Sequence, residues 1–316
     1  MKSKYPVTVA VVTYRPDKQK LLSTLRSVLR QKNTEYQIVL ADDGSDDPLM
    51  EEAQELFRQF DFEDYKLVQN PQNRGTVYNV LSAAAAADGA YIKPISPGDM
   101  LADEHTLEKW VAHIESAKAK VSCSAAVCYT ASGNTAQPVA HPAFPQNTRC
   151  YLQNDREKAR YQFLVLDDIF LGAATLCHTQ TLLTYLQEIA GKIVYGEDNV
   201  YRLMAYDRIP MSYFDEVAVV YEVGTGVSTS KSQIWNQRLQ KDWDACKQMI
   251  FSRPAGAGDA TAANFRIKHS GDPSDRRKLF RVKGLLTWKL RCKLFTRTTD
   301  CALPDGFIEN VMYLKG

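Results

Sequence analysis

Strand and helix signals alternate without a break over the first hundred residues, and this alternation constrains the fold more than any other feature of the chain. Runs rich in Val, Ile and Leu at 7–13, 36–41, 65–69 and 90–95 read as buried strands. Amphipathic stretches after Asp17 to about 31, at 48–60 and at 75–87 read as the helices between them. Asp17 and Asp47-Pro48 supply the acidic cap and first-turn proline that helix starts favour. Strands separated by helices in this order predict an α/β fold, a mostly parallel central sheet flanked by helices. A further helix and strand are expected over 103–129, helices near 179–190 and 197–206, and a strand at 212–221. Residues 130–160 are polar and carry Gln137-Pro138 and His141-Pro142, so they read as a long loop over a site.

Sheets of this kind bind ligands at the carboxyl ends of their strands. Those ends are Thr13-Tyr14-Arg15, Asp42-Asp43-Gly44-Ser45, Asn70 to Gly75, and Ser96-Pro97-Gly98-Asp99. No GxGxxG follows the first strand and no GxxxxGK[ST] occurs, which removes the usual dinucleotide fold and the P-loop nucleotidases. Asp42 and Asp43 either accept hydrogen bonds from a nucleotide base and ribose or form an acidic turn that caps the next helix. Asp99 is either a ligand for a divalent metal or a plain turn residue. Tyr195-Gly196-Glu197-Asp198-Asn199 places two acids at a helix start, where the dipole favours their ionised form. That suits a general base and equally suits acids that only complement the dipole.

The net charge of +2 gives no reason to expect a nucleic-acid partner. Seven cysteines lie singly, with no CxxC pair, and read as reduced thiols of a cytoplasmic protein. The apolar run Val7 to Val12 is too short for a signal-peptide core, and no apolar stretch approaches the roughly 20 residues of a spanning helix. Residues 253–275, rich in Ala, Gly, Pro and Asp, read as a flexible linker. Beyond it, 276–297 contains nine Lys or Arg and no acid, with Leu279, Val282, Leu286, Leu290 and Leu294 three or four apart and Trp288 and Phe295 near that stripe. Such a helix either lies on an anionic membrane surface, making the protein peripheral on the inner face, or packs its apolar side on the rest of the chain or on a partner subunit.

Taken in order, these motifs resemble glycosyltransferase family 2, the large group with a GT-A fold, in its bacterial surface-polysaccharide type. Val7 to Tyr14 is similar to that family's first strand, Asp42-Asp43-Gly44-Ser45 to its Asp-Asp-Gly-Ser turn, and Asn73-Arg74-Gly75 to its Asn-x-Gly. Ser96-Pro97-Gly98-Asp99 falls where the family has Asp-x-Asp-Asp, keeping only the last carboxylate, and Gly196-Glu197-Asp198 resembles its Glu-Asp motif. Asn79-Val80-Leu81 replaces the usual Ala-Arg-Asn, while Glu222 and Gly224 stand at the usual Arg and His of a Tyr-Arg-x-His ending. The resemblance covers about 5–230 and implies a GT-A domain over 1–230, its nucleotide-sugar half about 1–100 and its acceptor half about 101–230, followed by a basic helical extension over 231–316.

The resemblance further implies an inverting transferase that uses a nucleotide-sugar, a UDP-sugar in particular, and a divalent metal, Mn²⁺ or Mg²⁺, held by Asp99. Thr13, Tyr14, Arg15, Asp42, Asp43, Asn73, Gly75, Ser96, Pro97 and Gly98 would bind the donor. Asp198 would be the catalytic base with Glu197 beside it. Arg74 and Lys93 are cations near the diphosphate, each also readable as a solvated surface residue. The acceptor would be a saccharide or lipid-linked saccharide, as in O-antigen, capsule or lipooligosaccharide synthesis. The thinned metal motif also fits a GT-A-like nucleotide-sugar-binding or assembly protein that has lost catalysis.

Overall fold

The computed structural model describes residues 3–132, 135–224, 232–272, 284–294 and 296–299, with residues 282 and 302. The expected alternation is present. Strands β1 (Tyr5–Thr13), β2 (Tyr36–Asp42), β3 (Tyr65–Gln69) and β4 (Gly89–Ile95) are separated by helices α1 (Lys18–Leu29), α2 (Met50–Gln59) and α3 (Thr76–Ala86). They pair in parallel in the order β3-β2-β1-β4. Both β1 and β2 are almost wholly buried, which is why their sequences read as continuous apolar runs rather than alternating ones. Asp17 caps α1 by accepting the Lys20 N–H at 3.0 Å.

Beyond β4 the sheet becomes mixed. After β5 (Met100–Leu101) and α4 (Thr106–Ser116), the long strand β6 (Val121–Ser132) forms a hairpin with β7 (Thr135–Pro138). Helices α5 (Arg149–Leu152) and α6 (Arg156–Val165) follow, then β8 (Thr175–His178), α7 (Thr179–Ile189), α8 (Asn199–Tyr206) and β9 (Met211–Glu222). Strand β8 runs antiparallel between β4 and β6, β9 lies parallel to β6, and β5 pairs antiparallel with β9. Among the described residues this makes one nine-stranded sheet. The expectation of a loop throughout 130–160 is corrected by β7, α5 and the start of α6. Asp155 caps α6 through the Lys158 N–H, a signal masked by the polar composition around it.

A second correction concerns 253–275. After α9 (Gln233–Ser252), residues Ala260–His269 form helix α10 instead of a flexible linker. Its fully buried Ala262 and Phe265 join the same core as Cys246 and Ile250 of α9 and Val7 and Val9 of β1. Asp259 explains the helix start: it accepts the Ala262 N–H and takes both nitrogens of the Arg160 guanidinium, at 2.8 and 2.9 Å, from α6. Burial works to raise the Asp259 carboxyl, but the Arg160 pair outweighs it and holds it down to about 2. Because its pKa is lowered on folding, this pair stabilises the fold above the ordinary Asp range and loses that contribution as pH falls towards 2. Asp259→Ala strands the buried Arg160 charge and removes a helix cap, so urea unfolding at pH 7 is expected to show a loss of about 3 kcal/mol, shrinking towards pH 3.

The chain's last described helix, α11 (Leu285–Leu294), buries Leu285 but leaves Leu286, Leu290 and Leu294 exposed at 54%, 58% and 61%. Of the apolar stripe expected there, Val282 is buried, and Leu279 and Phe295 lie outside the described residues. Among the described residues no helix is long and apolar enough to cross a membrane. Six cysteines are described and all are unpaired; Cys301 lies outside the described residues.

Candidate active site

The strand ends of the parallel half meet the start of α8 around a cavity of roughly 600 Å³. Ser96, Pro97 and Asp99 form one part of its wall, Glu197 and Asp198 another, and Glu222 a third. His141 and Phe144 reach over it from the segment after β7, and Phe170 to Ala173 from the turn before β8. Five of the residues singled out from the sequence are therefore gathered in one concavity, although up to 102 positions separate them.

Asp42 and Asp43 are placed differently. Both are buried, and their carboxylates are engaged by their own chain. Asp42 accepts the Thr13 hydroxyl at 2.9 Å and the Ser45 N–H and hydroxyl, each at 2.7 Å. Asp43 accepts the Gly75 N–H at 2.8 Å and the Arg74 N–H at 3.1 Å. Together they lock the ends of β1 and β2 to the start of α3. Asn73 accepts the Gly75 N–H from the other side at 3.1 Å, and Gly75 itself, at φ +92°, lies so close to Val194 that a Cβ would sit 2.5 Å from its side chain. Thus Thr13, Asp42, Asp43, Asn73 and Gly75 frame the site and do not line the cavity. Tyr14 is exposed with the Arg15 guanidinium 5.3 Å from its ring centre, so both stand at the open end of the sheet.

The Ser96 to Asp99 turn is fixed from below by Thr24 of α1, whose hydroxyl accepts the Gly98 N–H and donates to the Asp99 carbonyl. Gly98 is at φ +101°, and a Cβ there would meet Glu222 Oε2 at 2.2 Å. Asp99 Oδ1 accepts the Glu222 N–H at 3.0 Å. Burial pushes the Asp99 carboxyl up to about 7, opposed by that hydrogen bond and by Lys93. Lys93 is not the solvated residue its position in a strand suggested: it is fully buried and donates to the carbonyls of Pro94 and Ala173, each at 2.6 Å. Burial lowers its ammonium to about 8, opposed in part by the charge of Asp99.

Asp198 occupies the N-cap position of α8 and makes no side-chain cap hydrogen bond there. Burial raises Asp198, while Arg202 one turn on works against that rise. Burial and then the charge of Asp198 push Glu197 up to about 8. Both carboxyls of the pair are thus raised by burial, and Glu197 also by the neighbouring charge of Asp198.

The acid pair is held by a residue that no local sequence signal marks. Asp242, in the middle of α9, accepts the N–H groups of Val194, Tyr195 and Gly196 at 3.1, 2.7 and 2.9 Å. Three successive amides on one buried carboxylate fix the loop that delivers Glu197 and Asp198. Trp235 packs edge-on against Tyr195, and Leu239 of the same helix lines the cavity.

The family model described as Glycosyl transferase family 2 matches residues 8–179, more than half of the chain. The chain belongs to glycosyl transferase family 2. It is accordingly a glycosyltransferase, and its mixed sheet flanked by helices is the GT-A architecture. Two solved structures show the shared fold. Staphylococcus aureus TarS 1–349 in complex with UDP is 17% identical, with a TM-score of 0.54 over 88% of this chain and 75% of that one. The mannosyltransferase PcManGT from Pyrobaculum calidifontis, in complex with GDP-Man and Mn²⁺, is 14% identical, with a TM-score of 0.56 over 97% of this chain and 86% of that one. No curated protein matches the chain.

Proposed function

We propose that this family 2 member is an inverting transferase that moves a sugar from a nucleotide-sugar, UDP-linked, to a saccharide hydroxyl, with Asp198 as the base. The observation that carries the reading is the meeting of the Ser96 to Asp99 turn and the Glu197-Asp198 pair in one cavity. The diphosphate lies against the turn, and the acceptor hydroxyl approaches Asp198. That carboxylate takes the hydroxyl proton as the oxygen attacks the anomeric carbon, and the nucleoside diphosphate leaves from the opposite side. A single displacement of this kind inverts the anomeric centre. Phe144, Phe170 and Leu171 give the cavity apolar walls that limit water beside the reacting sugar.

A divalent cation, Mn²⁺ or Mg²⁺, fits the Asp99 turn: beside Asp99 the Glu222 carboxylate packs against Gly98, and its buried Oε2 has no hydrogen-bond partner. Bound there, it would offset charge on the diphosphate. The test is nucleoside diphosphate release from a panel of UDP- and GDP-sugars with Mn²⁺. Release from one donor, stimulated by a saccharide acceptor, is expected. Donor binding with no release from any of them would favour a nucleotide-sugar-binding protein without transferase activity.

The acceptor is proposed to be lipid-linked and met at the cytoplasmic face of a membrane. Leu286, Leu290 and Leu294 recur every fourth residue on α11 and face solvent beside Lys289, Arg291 and Lys293. An exposed apolar stripe with basic neighbours suits an anionic lipid surface. The protein is expected to pellet with vesicles containing phosphatidylglycerol and to be released by salt, whereas Leu286→Glu/Leu290→Glu/Leu294→Glu stays in the supernatant. Equal pelleting of the two would remove the membrane from the account.

A further inference from the structure

We infer that Glu222, the last residue of β9, is a second protein ligand for the cation at Asp99, and that Lys20 is the counter-ion which the cation displaces. The inference rests on the proposed nucleotide-sugar reading of the cavity. Its starting point is the strand register. Met100 pairs with Val220 and Leu101 with Val219 in the antiparallel β5–β9 ladder, which continues to bring Glu222 opposite Gly98. The contact is direct, since the Glu222 N–H donates to Asp99 Oδ1 and its carboxylate fills the space where Gly98 lacks a Cβ. Asp99, just before β5, and Glu222, at the end of β9, thus both line the cavity beside each other.

The partners of Glu222 do not account for its burial. The residue is only 4% exposed, and Oε1 accepts Lys20 Nζ at 2.7 Å, but Oε2 is buried with no hydrogen-bond partner. A carboxylate oxygen taken out of water without a partner costs several kcal/mol unless another group satisfies it. Lys20 reaches the pair from α1 with 30% of its side chain exposed, so its ammonium has a path back to solvent. Among the described residues no third Asp, Glu, His or Cys completes a cluster. Hard divalent cations are commonly held by one or two carboxylates with phosphate oxygens and water supplying the rest, so the donor's diphosphate would complete the shell. Glu222 thereby restores the charge that Ser96 and Gly98 remove from the metal motif.

The test is Mn²⁺ binding to the full-length protein in the presence of UDP, read by electron paramagnetic resonance of free Mn²⁺, with UDP binding measured separately without metal. Glu222→Gln is expected to weaken Mn²⁺ binding about tenfold and leave metal-free UDP binding unchanged. Lys20→Met, which removes the competing ammonium, is expected to tighten Mn²⁺ binding several-fold. The second variant keeps the test decisive if the first folds poorly, because a Lys20 that only supports the fold predicts no tightening. Mn²⁺ affinity unchanged in Glu222→Gln, unchanged or weakened in Lys20→Met, or absent in a wild type that binds UDP overturns the inference. A wild type that binds no nucleotide overturns the proposed function along with it.

Discussion

Asp198→Asn is expected to lower kcat by about a thousandfold while donor affinity stays close to that of the wild type, measured by nucleoside diphosphate release and by calorimetric titration of the donor. The substitution keeps the shape of the side chain and removes only its ability to take a proton. Its size follows from the site: Asp198 lines the cavity, makes no side-chain cap hydrogen bond to α8, and is the acid that the proposed mechanism requires to take the proton. The pH dependence has a definite sign. A base works ionised, so kcat/KM rises with pH as the pair loses its protons and falls in acid. Stability runs the other way. Both carboxyls are raised on folding, so their contribution is fully present below the ordinary carboxylate range and is lost as pH rises through about 8, the value to which Glu197 is pushed. The site is therefore least stable where it is most active, as expected of buried acids kept for chemistry.

Asp242→Ala is expected to cost about a hundredfold in kcat and about 3 kcal/mol of stability. The first figure reflects the sensitivity of catalysis to misplacement of about 1 Å, and the second the donors left unpaired. Three backbone N–H groups, at Val194, Tyr195 and Gly196, lose the carboxylate that accepts them, and the loop that presents Glu197 and Asp198 loses its anchor. Asp242 lines no part of the cavity, so the donor KM should change little. Steady-state kinetics at a temperature where the variant remains folded separates the two roles. An unchanged kcat there, with stability alone reduced, would make Asp242 a structural residue only.

The parts of the fold legible in the sequence are those where one physical signal dominates. In β1 and β2 nearly every residue is buried, so continuous apolar runs announce them, and Asp17 marks the start of α1. Helix α10 was hidden because Ala, Gly, Pro and Asp around it mimic a linker, while what fixes it is a cap residue paired with Arg160, 99 positions away. The candidate site divides in the same manner. Asp99, Glu197 and Asp198 stand in short motifs next to glycines and reach the cavity as expected. Asp42 and Asp43 also stand in a motif, but their oxygens are taken up in joining β1, β2 and α3. Asp242 carried no local signal, because an acid in an amphipathic helix looks like a surface residue until tertiary packing closes around it, and the burial of Lys93, readable as a cation near the diphosphate or as a solvated residue, is likewise set by tertiary packing.

The central claim is that one base in this cavity drives a single displacement at the anomeric carbon. It is tested most directly by following slow hydrolysis of an α-linked nucleotide-sugar by ¹H NMR in the first minutes, before the released sugar equilibrates between anomers. The β-anomer is expected to appear first, in step with nucleoside diphosphate, and Asp198→Asn to abolish both signals. An α-anomer appearing first would contradict the claim.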